Sequence, residues 1–184
     1  MRRFVSVSIV ATLMMLSAFA ASADKRGPST PEERKRALAV IHELEAHPMS
    51  AKLAKDREWV FQWLQDIPDV KVGICTGLIG PLLEEKQSDA RNAITLQHLL
   101  SSAAYQMEFP DEKDGVAIYT AASEGMLRAY ENVLKQDPEY KSPFLEDLRA
   151  KKSNGTLETY VKSGLDQCKR NAKLMKPPSA YKNN

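Results

Sequence analysis

Apolar residues recur at intervals of three and four along most of this chain, which is the spacing that places side chains on one face of an α-helix. Proline, glycine and short polar clusters separate these periodic stretches, as expected of loops between helices. Thr30 and Glu33 match a capping box around Pro31, which marks a helix start. The pattern predicts helices at about 31–46, 51–66, 89–109, 113–136, 143–152 and 156–169.

The stretch from residue 69 to residue 86 is the least regular part of this pattern. Three apolar residues at alternate positions are typical of a strand, whereas three glycines and a proline in the same stretch disfavour a long helix. We expect a short helix or an extended segment as far as Cys75, followed by a helical turn over residues 81–86. Gly73 and Gly77 are expected to allow close backbone packing near Cys75.

One face of the predicted helix at 113–136 carries almost no side-chain bulk, because small residues occupy every fourth position. A second helix can therefore approach this face closely, near the short end of the usual range of about 8–10 Å between axes. The small residues are Ala117, Ala121, Gly125 and Ala129, and the bulky face is formed by Tyr119, Met126, Tyr130 and Val133.

Residues 1–23 have the arrangement of a secretory signal peptide. Arg2 and Arg3 precede an uncharged stretch, and small residues at positions 21 and 23 mark a cleavage site before Asp24. The uncharged stretch contains serines and is shorter than the roughly 20 apolar residues of a membrane-spanning helix. No later segment is long and apolar enough to span a bilayer, and Asp24 stands where a lipoprotein has cysteine. We expect a periplasmic or secreted protein with no membrane span after cleavage.

The charge balance disfavours a polyanionic partner. The formal net charge of +2 is contributed by Arg2 and Arg3, and without them 24 basic residues face 24 acidic ones. A neutral chain has no overall field that attracts nucleic acid. We therefore expect no nucleic-acid partner.

The two cysteines of the chain are Cys75 and Cys168. In an exported protein such a pair indicates a disulfide, and the absence of a C-x-x-C motif disfavours a redox role. The predicted fold is all-α: a single compact domain of six or seven helices, stapled by one disulfide. We expect a flexible leader at 24–29, the helical domain at 30–170 and a frayed tail at 171–184.

The sequence contains no recognisable motif for catalysis or metal binding. Its three histidines lack the spacing of zinc ligands, and His98 is expected to be a half-buried polar residue. The acidic residues 111–114 do not fit the spacing of an EF-hand and are interpreted as the acidic start of a helix. The G-x-S-x-G elbow of serine hydrolases is absent from the sequence. We predict no catalytic residue, no metal and no cofactor.

Glu124 precedes Arg128 by one helical turn, which is the favoured order for an ion pair within a helix. The alternative interpretation gives Glu124 a catalytic role, paired with Glu58 or Asp66 as in a glycosidase. Because any helical protein offers such acidic pairs, the ion pair is the favoured interpretation.

These features favour a non-enzymatic protein that binds another protein, of the inhibitor, immunity-protein or envelope-chaperone type. Two alternatives remain. One is a small-ligand-binding helical module with a pocket lined by Trp59, Trp63, Tyr119 and Met126, and the other is a cell-envelope hydrolase. Two tryptophans four residues apart form a core anchor or line a groove that stacks sugars, and the core interpretation is favoured.

Overall fold

A computed structural model describes residues 26–174. The predicted signal peptide and residues 175–184 lie outside the described residues. The described part is all-helical, with seven α-helices and one 3₁₀ turn at Ala51–Leu53. The helices are α1 (Pro31–Ala46), α2 (Ala54–Asp66), α3 (Thr76–Glu84), α4 (Asp89–Glu108), α5 (Gly115–Gln136), α6 (Pro143–Ser153) and α7 (Leu157–Leu174). The predicted all-α fold is confirmed.

The long helices α4 and α5 form the central pair, and α4 joins two apolar clusters. Residues from the N-terminal half of α4 pack with α3, α5, α6 and α7 in a cluster that we call the α3–α7 cluster. Residues from its C-terminal half pack with α1, α2 and the segment after α2 in the α1–α2 cluster. Because both clusters share one continuous helix, the described chain forms a single compact domain.

Two predicted helix ends differ from the structure. The second helix was predicted to begin at residue 51, but a 3₁₀ turn precedes α2, which begins at Ala54. Residues 171–174, which the sequence placed in a frayed tail, continue α7. By contrast, the capping box at Thr30 and Glu33 is confirmed, since each side chain accepts a hydrogen bond from the other's backbone N–H.

The segment before α1 is tied to the loop after α2. Asp69 accepts hydrogen bonds from the Ser29 N–H at 2.9 Å, the Ser29 hydroxyl at 2.7 Å and the Arg34 guanidinium at 2.6 Å. Burial alone would raise the pKa of the Asp69 carboxyl, but these hydrogen bonds outweigh it and lower the pKa to about 2. Ser29, the last residue of the predicted leader, is therefore held in place.

Helix α3 begins five residues earlier than the sequence predicted. Residues 70–75 form neither helix nor strand, and Thr76–Glu84 is one helix that contains Pro81. A proline inside a helix costs about 3 kcal/mol, because it lacks the N–H that bonds to the preceding turn. Burial of each large apolar side chain contributes about 1.5–3 kcal/mol, and Leu78, Ile79 and Leu82 are all buried. Tertiary packing therefore outweighs the local preference against helix.

The joint between α3 and α7 combines a disulfide with a close backbone contact. Cys75 and Cys168 form the predicted disulfide, with their Cα atoms 5.9 Å apart. A Cβ atom added at Gly77 would lie 2.5 Å from the carbonyl oxygen of Gly164. The Tyr160 hydroxyl of α7 also donates to the Leu78 carbonyl at 2.6 Å. The close packing predicted near Cys75 thus occurs at Gly77, whereas a Cβ atom added at Gly73 would meet only the Tyr119 hydroxyl, at 3.8 Å.

We expect Cys168→Ser to lower the melting temperature without changing the fold. The disulfide links residues 93 positions apart, and on the chain-entropy model a loop of that length contributes about 4–5 kcal/mol. Thermal unfolding followed by circular dichroism measures the loss. Wild-type protein in excess reductant should melt near the variant, and a melting temperature unchanged by both treatments would contradict the prediction.

Two alanine substitutions within α3 should have opposite effects on stability. Gly77→Ala places a methyl group against the backbone of α7 and should destabilise by about 1–3 kcal/mol. Gly80→Ala meets only the Thr76 side chain, at 3.9 Å, and should stabilise by about 0.5–1 kcal/mol because alanine is the better helix former. Urea unfolding of both variants measures the difference. Equal effects would show that the Gly77–Gly164 contact does not limit the approach of the two helices.

Candidate functional site

The four residues proposed to line one ligand pocket lie in two different apolar clusters. Trp59 and Trp63 belong to the α1–α2 cluster, whereas Tyr119 and Met126 belong to the α3–α7 cluster. The structure therefore does not bring the four side chains into one site.

Both tryptophans pack against neighbouring side chains. Trp63 is only 3 % exposed, and its ring stacks on that of Trp59 with centroids 5.9 Å apart. The Arg36 guanidinium covers the Trp59 ring at 3.7 Å from its centroid, a distance typical of a cation–π contact. Trp59 thus contacts side chains of both α1 and α2, and both tryptophans also line a separate cleft beside Gln62 and Asp66. This geometry supports the core interpretation of the pair.

Tyr119 and Met126 also make structural contacts. The Tyr119 hydroxyl donates to the Gly73 carbonyl at 3.2 Å and so holds the segment before α3. Burial raises the pKa of Tyr119. Met126 is fully buried in the α3–α7 cluster. Their predicted role as ligand or partner contacts stays a prediction without support from this placement.

One cleft between α1, α4 and α5 brings three carboxylates and an arginine together. This cleft has a volume of about 220 Å³. We call it the central cleft, and its lining residues are Ile41, His42, Glu45, Ser101, Ala104, Tyr105, Glu108, Ala121, Glu124 and Arg128.

The floor of the central cleft results from the close approach of α4 and α5. A Cβ atom added at Gly125 would clash with the Ser101 side chain, so glycine is required for this contact. Ser101 is 5 % exposed and accepts a hydrogen bond from the buried Gln97 amide at 3.1 Å. The predicted close packing on the small-residue face of α5 is thus present at Gly125, and Ala121 of that face lines the cleft.

One ion pair is fixed inside the cleft. Arg128 donates to both carboxylate oxygens of Glu45, from Nε at 2.6 Å and from Nη2 at 3.0 Å. The hydrogen bonds with Glu45 raise the pKa of Arg128. The sequence-based pairing of Arg128 with Glu124 is therefore wrong. Glu45 on α1 offers both oxygens to the planar guanidinium, a two-point geometry that is stronger than a single contact along a helix.

The other two carboxylates of the cleft have weaker partners. Glu108 contacts the Nε2 atom of His42 at 3.2 Å, and this contact is an ion pair only when the histidine is protonated. Glu124 lies 3.8 Å from the Lys152 ammonium group, beyond hydrogen-bonding distance. With Glu45 neutralised by Arg128, the cleft retains an excess of negative charge.

An exposed aromatic residue stands at the edge of the cleft. Phe109 follows the last residue of α4 and is 53 % exposed. Its ring packs on that of Tyr105, a lining residue, with centroids 4.8 Å apart. Asp111 and Glu112 follow in the adjoining loop. We call Tyr105, Glu108, Phe109, Asp111 and Glu112 the aromatic–acidic corner.

The structure gives no support to the glycosidase-like pairing. Glu124 lies on α5 and lines the central cleft, whereas Glu58 and Asp66 lie on α2. Asp66 lines a different depression, beside the tryptophans. No group of three or more histidine, cysteine, aspartate or glutamate side chains in residues 26–174 is arranged to hold a metal ion.

His98 is fully buried rather than half-buried, and this is a correction to the sequence-based expectation. Neither ring nitrogen has a hydrogen-bond partner, and the ring lies 5.8 Å from that of Tyr119. Burial lowers the pKa of His98 to about 4. The reason is that the charged imidazolium would lose its hydration without gaining a partner.

This burial predicts acid sensitivity. In the unfolded chain His98 titrates near its ordinary pKa of 6.5. Between pH 6.5 and about 4, His98 is therefore protonated in the unfolded state and neutral in the folded state. The free energy of unfolding should fall by about 3 kcal/mol across that range. Full stability is present above pH 6.5. Urea unfolding at several pH values measures this slope.

The control variants separate His98 from the other titrating groups. His98→Gln removes the titration and should flatten the slope between pH 6.5 and 4, whereas the exposed His42, changed to Gln, should leave it as in the wild type. The same slope in the wild type and in His98→Gln would show that other groups cause the acid sensitivity.

No helix within the described residues has the length and apolar character needed to cross a bilayer. Comparisons with protein-family models, with curated proteins and with solved structures found no match to this chain.

Proposed function

We propose that this chain is an exported helical protein that acts by binding another protein through its aromatic–acidic corner. The exposure of Phe109 carries this proposal. This large aromatic side chain is half exposed, packed on a second aromatic ring and bordered by carboxylates. Its contact with water is unfavourable in free energy, and a partner that covers the ring removes that cost. Aromatic side chains are enriched among the residues that supply most of the energy of protein interfaces.

The size of the central cleft disfavours a free small ligand within that cleft. Drug-sized ligands occupy pockets of roughly 300–1,000 Å³ that bury most of their surface, and the central cleft measures about 220 Å³. A single side chain that projects from a larger partner fits such a space. The remaining contact area would then come from Phe109 and the loop that follows it.

The charges of the corner indicate the chemistry of the partner. Glu108, Asp111 and Glu112 line one depression together with Phe109, and Glu124 is a further carboxylate within the central cleft. A partner surface with lysine or arginine next to apolar residues would complement this arrangement, and complementary charges raise the rate of association.

Two features support the exported location. Residues 1–23 have the pattern of a signal peptide, and the Cys75–Cys168 disulfide requires an oxidising compartment to persist. The ligand-binding alternative receives no support from the four residues proposed for it, because they lie in separate clusters.

The test is a capture experiment with two matched phenylalanine variants. Residues 24–184 are immobilised and exposed to an envelope extract of the source organism, and retained proteins are quantified by mass spectrometry. Phe109→Ala should reduce recovery of the partner about tenfold or more, because loss of an interface hot spot costs about 2 kcal/mol. Phe61→Ala on α2, where Phe61 is 47 % exposed, should leave recovery unchanged.

Either of two results would contradict the proposal. One is that beads carrying the wild-type protein retain no protein that is absent from beads without it. The other is that both phenylalanine variants retain the same proteins as the wild type in the same amounts, which would place any binding elsewhere on the surface. Equal melting temperatures of the two variants would confirm that a difference in recovery does not come from a difference in folding stability.

A further inference from the structure

We infer that the cleft beside the two tryptophans binds a neutral saccharide, and that the Trp63 indole N–H and the Glu33 carboxylate share one of its hydroxyl groups. We call this space the tryptophan cleft, and it is lined by Arg26, Glu33, Trp59, Gln62, Trp63 and Asp66. The tryptophan cleft shares no residue with the aromatic–acidic corner, so it is a second site that works independently of the proposed protein interface.

A buried donor that the fold leaves unpaired is the first indication of a ligand. Trp63 is only 3 % exposed, and its ring packs in the α1–α2 cluster. The same residue lines the tryptophan cleft, and its Nε1 atom has no hydrogen-bond partner within residues 26–174. A buried indole N–H usually finds an acceptor, because an unpaired buried donor costs free energy. The unpaired N–H therefore indicates an acceptor that enters the cleft from outside the chain.

The Glu33 carboxylate lies near this donor without accepting a hydrogen bond from it. The hydrogen bond from the Thr30 N–H is the main cause of a lowered pKa at Glu33, and the nearby Trp63 N–H contributes to it. A hydroxyl group both accepts and donates, so a ligand hydroxyl between the two groups accepts from the indole and donates to the carboxylate. Water has the same two capacities, but the other features of the cleft favour a saccharide.

The charge and the volume of the tryptophan cleft favour a neutral small ligand. Arg26 forms an ion pair with Glu33. The Arg36 guanidinium, which covers the Trp59 ring, brings a second positive charge that matches Asp66 in number. A neutral ligand therefore leaves no charge without a counterpart. The cleft measures about 390 Å³, within the roughly 300–1,000 Å³ of small-ligand pockets.

The remaining lining residues supply polar acceptors and an apolar surface together. The Gln62 amide donates to one oxygen of Asp66 at 3.2 Å, which leaves the Gln62 carbonyl and the other Asp66 oxygen as acceptors. The planes of the Trp59 and Trp63 rings lie 20° apart with centroids 5.9 Å apart, an offset stack in which neither ring fully covers the other. A saccharide ring combines hydroxyl groups with an apolar C–H face, which gains free energy by packing on an aromatic ring.

The test uses intrinsic fluorescence, because both tryptophans of the chain line this cleft. Glucose and N-acetylglucosamine, each as the monosaccharide and as a linear tetrasaccharide, are titrated into the disulfide-bonded protein. Emission should change and saturate, with half-saturation at about 1 mM or below. A response to a monosaccharide identifies a free sugar as the ligand, and a response confined to a tetrasaccharide identifies a segment of a glycan chain.

Matched variants, compared by calorimetry, show whether the saccharide occupies the cleft. Trp63→Phe keeps an aromatic ring but removes the N–H, and should weaken binding about tenfold. Gln62→Ala removes an exposed amide of the cleft and should weaken binding about three- to tenfold. Gln65→Ala removes an exposed amide on the same helix outside the cleft and should leave binding unchanged. Phe109→Ala should also bind as the wild type does.

Any of three results would overturn this inference. The first is unchanged emission with all four saccharides up to about 20 mM, far above the expected half-saturation, which would leave water as the partner of the Trp63 N–H. The second is equal binding by Gln62→Ala and Gln65→Ala. The third is an affinity that falls between about 0.05 M and about 0.5 M salt, since screening weakens ionic contacts and not those of a neutral ligand. Capture of a protein through Phe109 is unaffected by all three, so the proposed function is tested separately.

Discussion

The close approach of α4 and α5 at Ser101 and Gly125 is the contact on which the rest of the structure depends. It sets the separation of the central helix pair, and α4 carries the residues that join the two apolar clusters. A side chain at position 125 would push the two helices apart because a Cβ atom there has no room. The same contact places small residues at the floor of the central cleft, so one packing constraint shapes both the core and the candidate site.

Much of the fold was predictable from the sequence because the relevant signals are local. Helical periodicity, the capping box at Thr30 and the small-residue spacing in α5 depend on neighbours within a few turns. The start of α3 was not predictable in this way, since Gly77 and Pro81 disfavour helix locally. Helix forms there because Leu78, Ile79 and Leu82 are buried against other helices. The residues that bury them lie far away along the chain.

The candidate site was largely hidden in the sequence. The small residues of α5 indicated which face another helix approaches, but they gave no indication that Glu45 and Glu108 from two other helices would border the same space. Glu45 and Arg128 are 83 positions apart, and a nearer acidic residue, Glu124, suggested the wrong ion pair. The burial of His98 was missed for a similar reason, because its surroundings are built from more than one helix.

The disulfide imposes an order on the production of the native molecule. Cys75 leaves the ribosome 93 residues before Cys168, and it enters any oxidising compartment first if the chain is threaded from its N-terminus. For that interval Cys75 is a thiol without its native partner and is open to pairing with other molecules. Its protection then depends on how fast α7 arrives and docks against α3, so the yield of correctly bonded protein depends on a helix that is made after the six others described.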